Sequence, residues 1–268
     1  MEESPSMDLG LRDRACIVTG ASGGIGRAVA MSLAGEGASV LLVGRRSDVL
    51  ADVARACQGR GEPLVLDVTA VDAGERAGRA CLERFGRVDV LVNGAGTSAV
   101  RSVGDLTDDE WQAQWELNVM GPMRLMRAVA PVMAERGWGR IVNIASSSGK
   151  RPSSTNLAYS VTKAAELSLS RGFADLYAGR GVLVNSVSPG PIGGELWLSP
   201  GGLADQHARA RGLSREEVLE STAARLPRGR LGTEDEIASV VVFLCSERAS
   251  NVVGAAWSAD GGSVPVII

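Results

Sequence analysis

Histidine, tyrosine and lysine are scarce in this chain of 268 residues: one His, His207, two Tyr, Tyr159 and Tyr177, and two Lys, Lys150 and Lys163. A single imidazole cannot build a His-based metal site, and Cys16, Cys57, Cys81 and Cys245 form no C-x-x-C pair for zinc or dithiol exchange. No metal and no disulfide mechanism is expected. A Ser-His-Asp hydrolase would have only His207 as its base, and the stretch QHARARG around it reads as a solvated helix.

Charge and hydropathy remove further classes. The 28 lysines and arginines are outnumbered by 31 acidic residues, giving a net charge of −3, and no basic stripe offers counterion release to a nucleic acid. Hydrophobic residues make up 45% of the chain. No apolar run approaches the roughly 18 residues that a membrane span needs, so neither nucleic acid nor membrane is an expected partner. The opening MEESPSMDLG lacks the basic and apolar regions of a secretory signal. Residues 1–11 read as a frayed tail ahead of a single domain over 12–268, in a cytoplasmic protein.

What is present is an alternation of Val/Ile/Leu-rich runs with helical patterns, the βαβ signature. Strands are predicted at 15–19, 39–44, 64–66, 88–92, 140–145, 182–187 and around 253–257. Their near-continuous apolar character requires a parallel sheet covered on both faces. The expected fold is therefore a Rossmann-like, doubly wound α/β sheet of about seven strands. After strand 1, Ile25, Ala28, Val29, Ser32 and Leu33 share one helix face before Gly35 and Gly37 end it. Further helices are predicted over 47–58, 72–86, 109–136, 157–179 and 234–247. A long excursion at 191–226, rich in glycine and then charged, leaves from a strand's carboxyl end and reads as a lid; a loop packed on a partner subunit is the alternative.

Strand 1 runs through Thr19-Gly20-Ala21-Ser22-Gly23-Gly24-Ile25-Gly26 straight into that first helix. Gly20 permits the sharp turn, while Gly24 and Gly26 leave room for a pyrophosphate at the helix N-terminus, where free N–H groups and the dipole attract an anion. Strand 2 ends Leu42-Val43-Gly44-Arg45-Arg46. Where an NAD-type site carries a carboxylate for the ribose 2′-OH, this chain has Gly44 and then two guanidiniums suited to a 2′-phosphate, so NADP(H) is favoured over NAD(H). Solvated arginines at a helix start are the plainer alternative.

Tyr159 lies four residues before Lys163, at the start of a long predicted helix, and that spacing puts both on one face. With two of each residue in the chain, chance is a poor account of the pairing. A neighbouring ammonium stabilises phenolate and makes Tyr159 a usable acid or base.

The sequence resembles the short-chain dehydrogenase/reductase family over residues 12–262. The matching motifs are TGASGGIG at 19–26, Asp67-Val68, NGAG at 93–96, Asn118, Ser146, YSVTK at 159–163 and SPG at 188–190. The resemblance implies that Tyr159 exchanges a proton with the substrate oxygen and that Ser146 hydrogen-bonds the same oxygen. It further implies that Lys163 holds the nicotinamide ribose and that Asn118 keeps a water relay behind it. Cofactor contacts are implied for Gly20, Ser22, Gly24, Ile25, Gly26, Arg45, Arg46, Asp67, Val68, Asn93, Gly94, Ala95, Gly96, Tyr159, Lys163, Pro189, Gly190 and Ile192. Plainer roles stay open for some of these. Ser147 and Ser148 neighbour Ser146, Asn118 can pin a helix backbone, and Asp67 can be a turn residue.

Two departures from the family pattern stand out. Gly94 replaces a frequent second Asn, and Gly193-Gly194 replaces a frequent Thr, which leaves the nicotinamide to backbone groups such as those of Ile192. The resemblance implies an NADP(H)-dependent oxidoreductase interconverting a small-molecule ketone and secondary alcohol. A 3-oxoacyl-carrier-protein reductase and a non-catalytic nucleotide-binding scaffold are the alternatives. It also implies a homotetramer, or a homodimer, assembled through the helices at 109–136 and 157–179 and the last strand, with apolar Val264–Ile268 buried against another subunit.

Overall fold

In the computed structural model, which describes residues 7–265, one sheet runs through the molecule. Its strands are β1 (Ala15–Thr19), β2 (Ser39–Gly44), β3 (Gly61–Val65), β4 (Val90–Asn93), β5 (Gly139–Ile144), β6 (Val182–Pro189) and β7 (Ala256–Ala259). They are all parallel, in the order β3-β2-β1-β4-β5-β6-β7. The helices are α1 (Gly24–Gly35), α2 (Ser47–Ala56), α3 (Ala73–Phe85), α4 (Asp108–Trp115), α5 (Gly121–Glu135), α6 (Ser147–Lys150), α7 (Leu157–Tyr177), α8 (Glu195–Leu198), α9 (Leu203–Arg211), α10 (Arg215–Ala224) and α11 (Glu234–Leu244). None of them is long and apolar enough to cross a membrane.

Alternate strand residues feed two separate cores. Cys16 and Val18 of β1 and Val40 and Leu42 of β2 pack with α1 and α11, while Ala15, Ile17, Leu41 and Val43 pack with α3, α5 and α7. Helices on both faces explain why these strands read as unbroken apolar runs. Strand order reverses between β1 and β4, and the crevice beyond their carboxyl ends is where a doubly wound sheet binds ligands.

Several boundaries differ from the sequence expectation. The helix predicted over 109–136 is α4, a wide π turn at Glu116–Met120, and α5. Pro122, in the first turn of α5, has no N–H to continue the regular ladder, and the wide turn absorbs the break. Strand 3 begins earlier, at Gly61, because an edge strand tolerates Pro63. β7 starts at Ala256 rather than 253, after Gly254 at φ +63°. Residues 8–11 are docked rather than frayed: Leu11 is buried, Glu247 N donates to Leu9 O at 3.0 Å, and Arg248 Nε donates to Asp8 O at 2.8 Å. The apolar run at 264–268 ends in residues 266–268, outside the described residues.

Candidate active site

A cavity of about 1200 Å³ opens at the carboxyl ends of β1, β2, β4, β5 and β6, under α8 and α9. Its floor begins at Gly20, at φ +70°, where a Cβ would lie 2.6 Å from Gly94 O. Thr19 Oγ1 accepts from Gly94 N (3.0 Å) and Ala95 N (3.2 Å), tying the ends of β1 and β4 together. A Cβ on Gly26 would collide with Gly20 O, so only glycine lets α1 start this close to the strand. The first turn of α1 has neither a capping side chain nor an acidic residue of its own, which leaves its N–H groups directed at the cavity.

At the β2 end, Arg46 reaches Ser22 O at 2.9 Å and Glu195 Oε1 at 3.2 Å. Glu195 belongs to α8, and its other oxygen lies where a Cβ on Gly23 would stand, directly over the glycine loop. Glu234 Oε1 in turn accepts from Glu195 N at 3.2 Å. Asp67 Oδ1 accepts from the Thr69 N–H at 2.9 Å and the Thr69 hydroxyl at 2.8 Å. The backbone bond from Thr69 is the main cause holding this carboxyl below the usual carboxylate range.

At the other end, β5 delivers Ser146, whose Oγ accepts from Ser148 N at 3.1 Å and keeps its own O–H free. Helix α7 opens on Asn156, carrying Tyr159 half-buried and Lys163 buried one turn later. Lys163 Nζ lies 5.7 Å from the Tyr159 ring centroid and donates to Ile144 O (2.8 Å) and Glu166 Oε2 (2.7 Å). Asn118, fully buried in the π turn, donates to Gln114 Oε1 (2.8 Å) and Thr162 Oγ1 (3.1 Å), while its Oδ1 has no partner among the described residues. That orphaned oxygen and Lys163 Nζ flank the space a Cβ on Gly96 would enter, at 3.6 and 3.8 Å from it.

Of the residues singled out from the sequence, all but Asn93 and Asn118 line this one cavity. Asn93 is buried in the sheet, its Nδ2 donating to Asn143 Oδ1 at 2.7 Å, so its side chain faces the core rather than a cofactor. His207 is corrected as well. It is half-buried rather than solvated, stacks on Trp197 with ring centroids 5.8 Å apart and lines the cavity. Burial, followed by the charge of Arg211, holds it below the usual histidine range, so it is neutral at pH 7. Burial pushes the Cys81 and Cys245 thiols up to about 12, so neither supplies a thiolate near neutral pH. Sequence reasoning missed Glu166, Glu195 and the Trp197–His207 wall.

A parallel, doubly wound sheet with a glycine cradle at its switch point defines a Rossmann-type α/β protein. A family model described as enoyl-(acyl carrier protein) reductase matches residues 20–263. The uncharacterized oxidoreductase YvrD of Bacillus subtilis (strain 168) is 36% identical, over 96% of this chain and 99% of its own length. Galactitol 2-dehydrogenase of Agrobacterium fabrum is 32% identical, over 94% and 98%. The crystal structure of L-sorbose reductase from Gluconobacter frateurii, complexed with NADPH and L-sorbose, superposes with a TM-score of 0.90 at 34% identity, covering 97% of this chain and all of that one. The chain belongs to the short-chain dehydrogenase/reductase family and is an oxidoreductase.

Proposed function

We propose that this protein is an NADP(H)-dependent oxidoreductase interconverting a ketone and a secondary alcohol of a small polyhydroxylated molecule. The observation that carries the reading is the convergence of Ser146, Tyr159 and Lys163 on a cavity whose far end is the glycine cradle of α1. Two features fit a dinucleotide there: the uncapped first turn of α1, and the donor Lys163 Nζ beside the space at Gly96. The nicotinamide, when bound, supplies the hydride.

Tyr159 gives its phenol proton to the carbonyl oxygen in reduction and takes it back in oxidation. Ser146 steadies the same oxygen with the O–H that its bond from Ser148 N leaves free. Lys163 spends two N–H groups on Ile144 O and Glu166, and the third serves a ribose hydroxyl. Asn118 Oδ1 takes a water from the cavity, satisfying a buried acceptor. Beside Gly44, Arg45 and Arg46 bind the 2′-phosphate, and Glu195 gives up Arg46 when phosphate arrives. The 191–226 excursion, whose α8 and α9 border the cavity, is the lid.

Polar groups at the substrate end, Gln114, Ser153, Asn156 and neutral His207, suit hydroxyls along the substrate, as do the names of the galactitol and L-sorbose enzymes. A 3-oxoacyl thioester is the second reading, favoured by the 3-oxoacyl-[acyl-carrier-protein] reductase FabG of Thermotoga maritima, which is 32% identical over 95% of this chain. A cytoplasmic location belongs to the same proposal, in keeping with four buried free cysteines. So does the homotetramer: Trp115 on α4 and Val161 and Leu176 on α7 are exposed apolar side chains on the helices expected to form it.

The test is a panel of ketoses, simple ketones and a 3-oxoacyl thioester with NADPH and NADH, run on the wild type and on Arg45→Asp/Arg46→Asp. Ketoses with NADPH are expected to lead. The double variant is expected to cut the NADPH-over-NADH ratio by about 10- to 100-fold, the worth of one charge-assisted phosphate bond. An unchanged ratio would remove the 2′-phosphate argument.

A further inference from the structure

Glu166 is 1% exposed and lies on α7 one turn beyond Lys163, with Oε2 2.7 Å from the ammonium. Burying a carboxylate inside a helix-on-sheet interface is unfavourable, and an apolar side chain would fill the same place at no electrostatic expense. The pairing therefore calls for an account beyond packing. Resting on the reading of Lys163 as a cofactor-binding residue, we propose that Glu166 is a positioning residue that keeps the Lys163 ammonium charged and aimed at the cavity.

Among the described residues no other carboxylate lies within ion-pair distance of Lys163. Toward the pair, β5 presents only the neutral Ile144 O and Asn143, and the π turn presents Asn118. On the surrounding elements, Arg124 of α5 and Glu116 of the π turn pair with each other at 2.8 Å, and Glu110 of α4 with Arg101 at 2.9 Å. Lys150 of α6 donates to Ala256 O and Ser258 Oγ, and β6 has no charged side chain. Tyr159, its ring centroid 5.7 Å from Nζ, is the remaining titratable neighbour.

Lys163 has lost nearly all contact with water, and burial alone drives a buried lysine toward its neutral form. Attraction to Glu166 reverses this and holds the ammonium above the ordinary lysine range. The same contact, with that to Ile144 O, occupies two of the three N–H groups, and Nζ lies 3.8 Å from where a Cβ on Gly96 would stand. Without the carboxylate, the ammonium would lose its proton as pH rises, and with it the charge that binds the ribose and supports Tyr159.

The chain's two lysines make a direct test possible. Protein labelled with carbon-13 at lysine Cε gives two signals, which Lys150→Arg assigns. In the ligand-free wild type, the Lys163 signal is expected to hold its ammonium position beyond the ordinary lysine range. In Glu166→Gln it is expected to titrate at least about one pH unit lower, whereas Glu166→Asp keeps it near the wild type. The alkaline fall in kcat/KM for ketone reduction should move down by a similar amount in Glu166→Gln alone. A wild-type Lys163 that titrates below the ordinary lysine range would overturn the proposal, whether or not Glu166→Gln folds. An unmoved Lys163 signal in folded Glu166→Gln would overturn it too. Because the titration needs neither cofactor nor substrate, it stands apart from the proposed reaction, whose failure would show as absent turnover.

Discussion

Tyr159→Phe is expected to lower kcat for ketone reduction by about 10²- to 10⁴-fold, the range that one positioned acid or base contributes, with NADPH affinity kept within about twofold. The substitution removes a single oxygen from a half-buried ring that makes no side-chain hydrogen bond among the described residues. Folding therefore gives no reason for the loss. Other groups are poor substitutes: His207 is held neutral by burial, Tyr177 stacks on Phe173 at the far end of α7, and the Cys81 and Cys245 thiols are buried and held protonated. Parallel measurement of turnover and of NADPH binding by fluorescence checks both halves of the expectation. A fall in binding equal to the fall in turnover would make Tyr159 a cofactor ligand and not the acid.

Lys163→Met is expected to have the largest effect on stability. It leaves the Glu166 carboxylate buried without its counter-charge, and breaking such a pair from one side costs about 3–5 kcal/mol. For a chain of this size that is a fall in Tm of roughly 10 °C. In the wild type, Glu166 already sits above the usual carboxylate range because burial outweighs the attraction of Lys163. Without the lysine it rises further. A carboxyl raised on folding contributes its stability at low pH and loses it as pH rises through the folded value. The gap between variant and wild type should thus be small in acid and widest near neutral pH. Lys163→Met/Glu166→Leu is expected to recover most of the loss, since it replaces the pair with apolar side chains. Denaturant unfolding of the three proteins across pH measures this, and a gap independent of pH would show that the buried charge is not the cause.

The sheet was legible because both of its faces are covered. Cys16 and Val18 meet α1 and α11 while Ala15 and Ile17 meet the opposite helices, so β1 carries no polar residue to disguise it before Thr19. Edges and interruptions were harder to read. Pro63 in β3 argues against a strand until the strand is known to lie at the sheet's edge, and the bond that Asn118 of the π turn makes to Thr162 spans 44 residues of chain. Tyr159 and Lys163 announced themselves through a spacing within one helix. Glu166 has the same local spacing from Lys163, but a charge at that position reads equally well as solvated until α7 is laid on the sheet. Glu195 meets Arg46 across 149 residues of sequence, and His207 is turned into the cavity only by the packing of α9 against Trp197. Neither arrangement has a sequence signature.

Deuterium transfer tests the central claim most directly. NADPH carrying deuterium at its transferable position is incubated with the wild-type protein and the ketose that turns over fastest, and the alcohol is analysed by mass spectrometry and NMR. The expected product carries one deuterium, on the carbinol carbon that was the carbonyl, and Tyr159→Phe forms almost none of it. Alcohol that contains no deuterium, or no alcohol from any ketone in the panel while NADPH binds, would contradict the account.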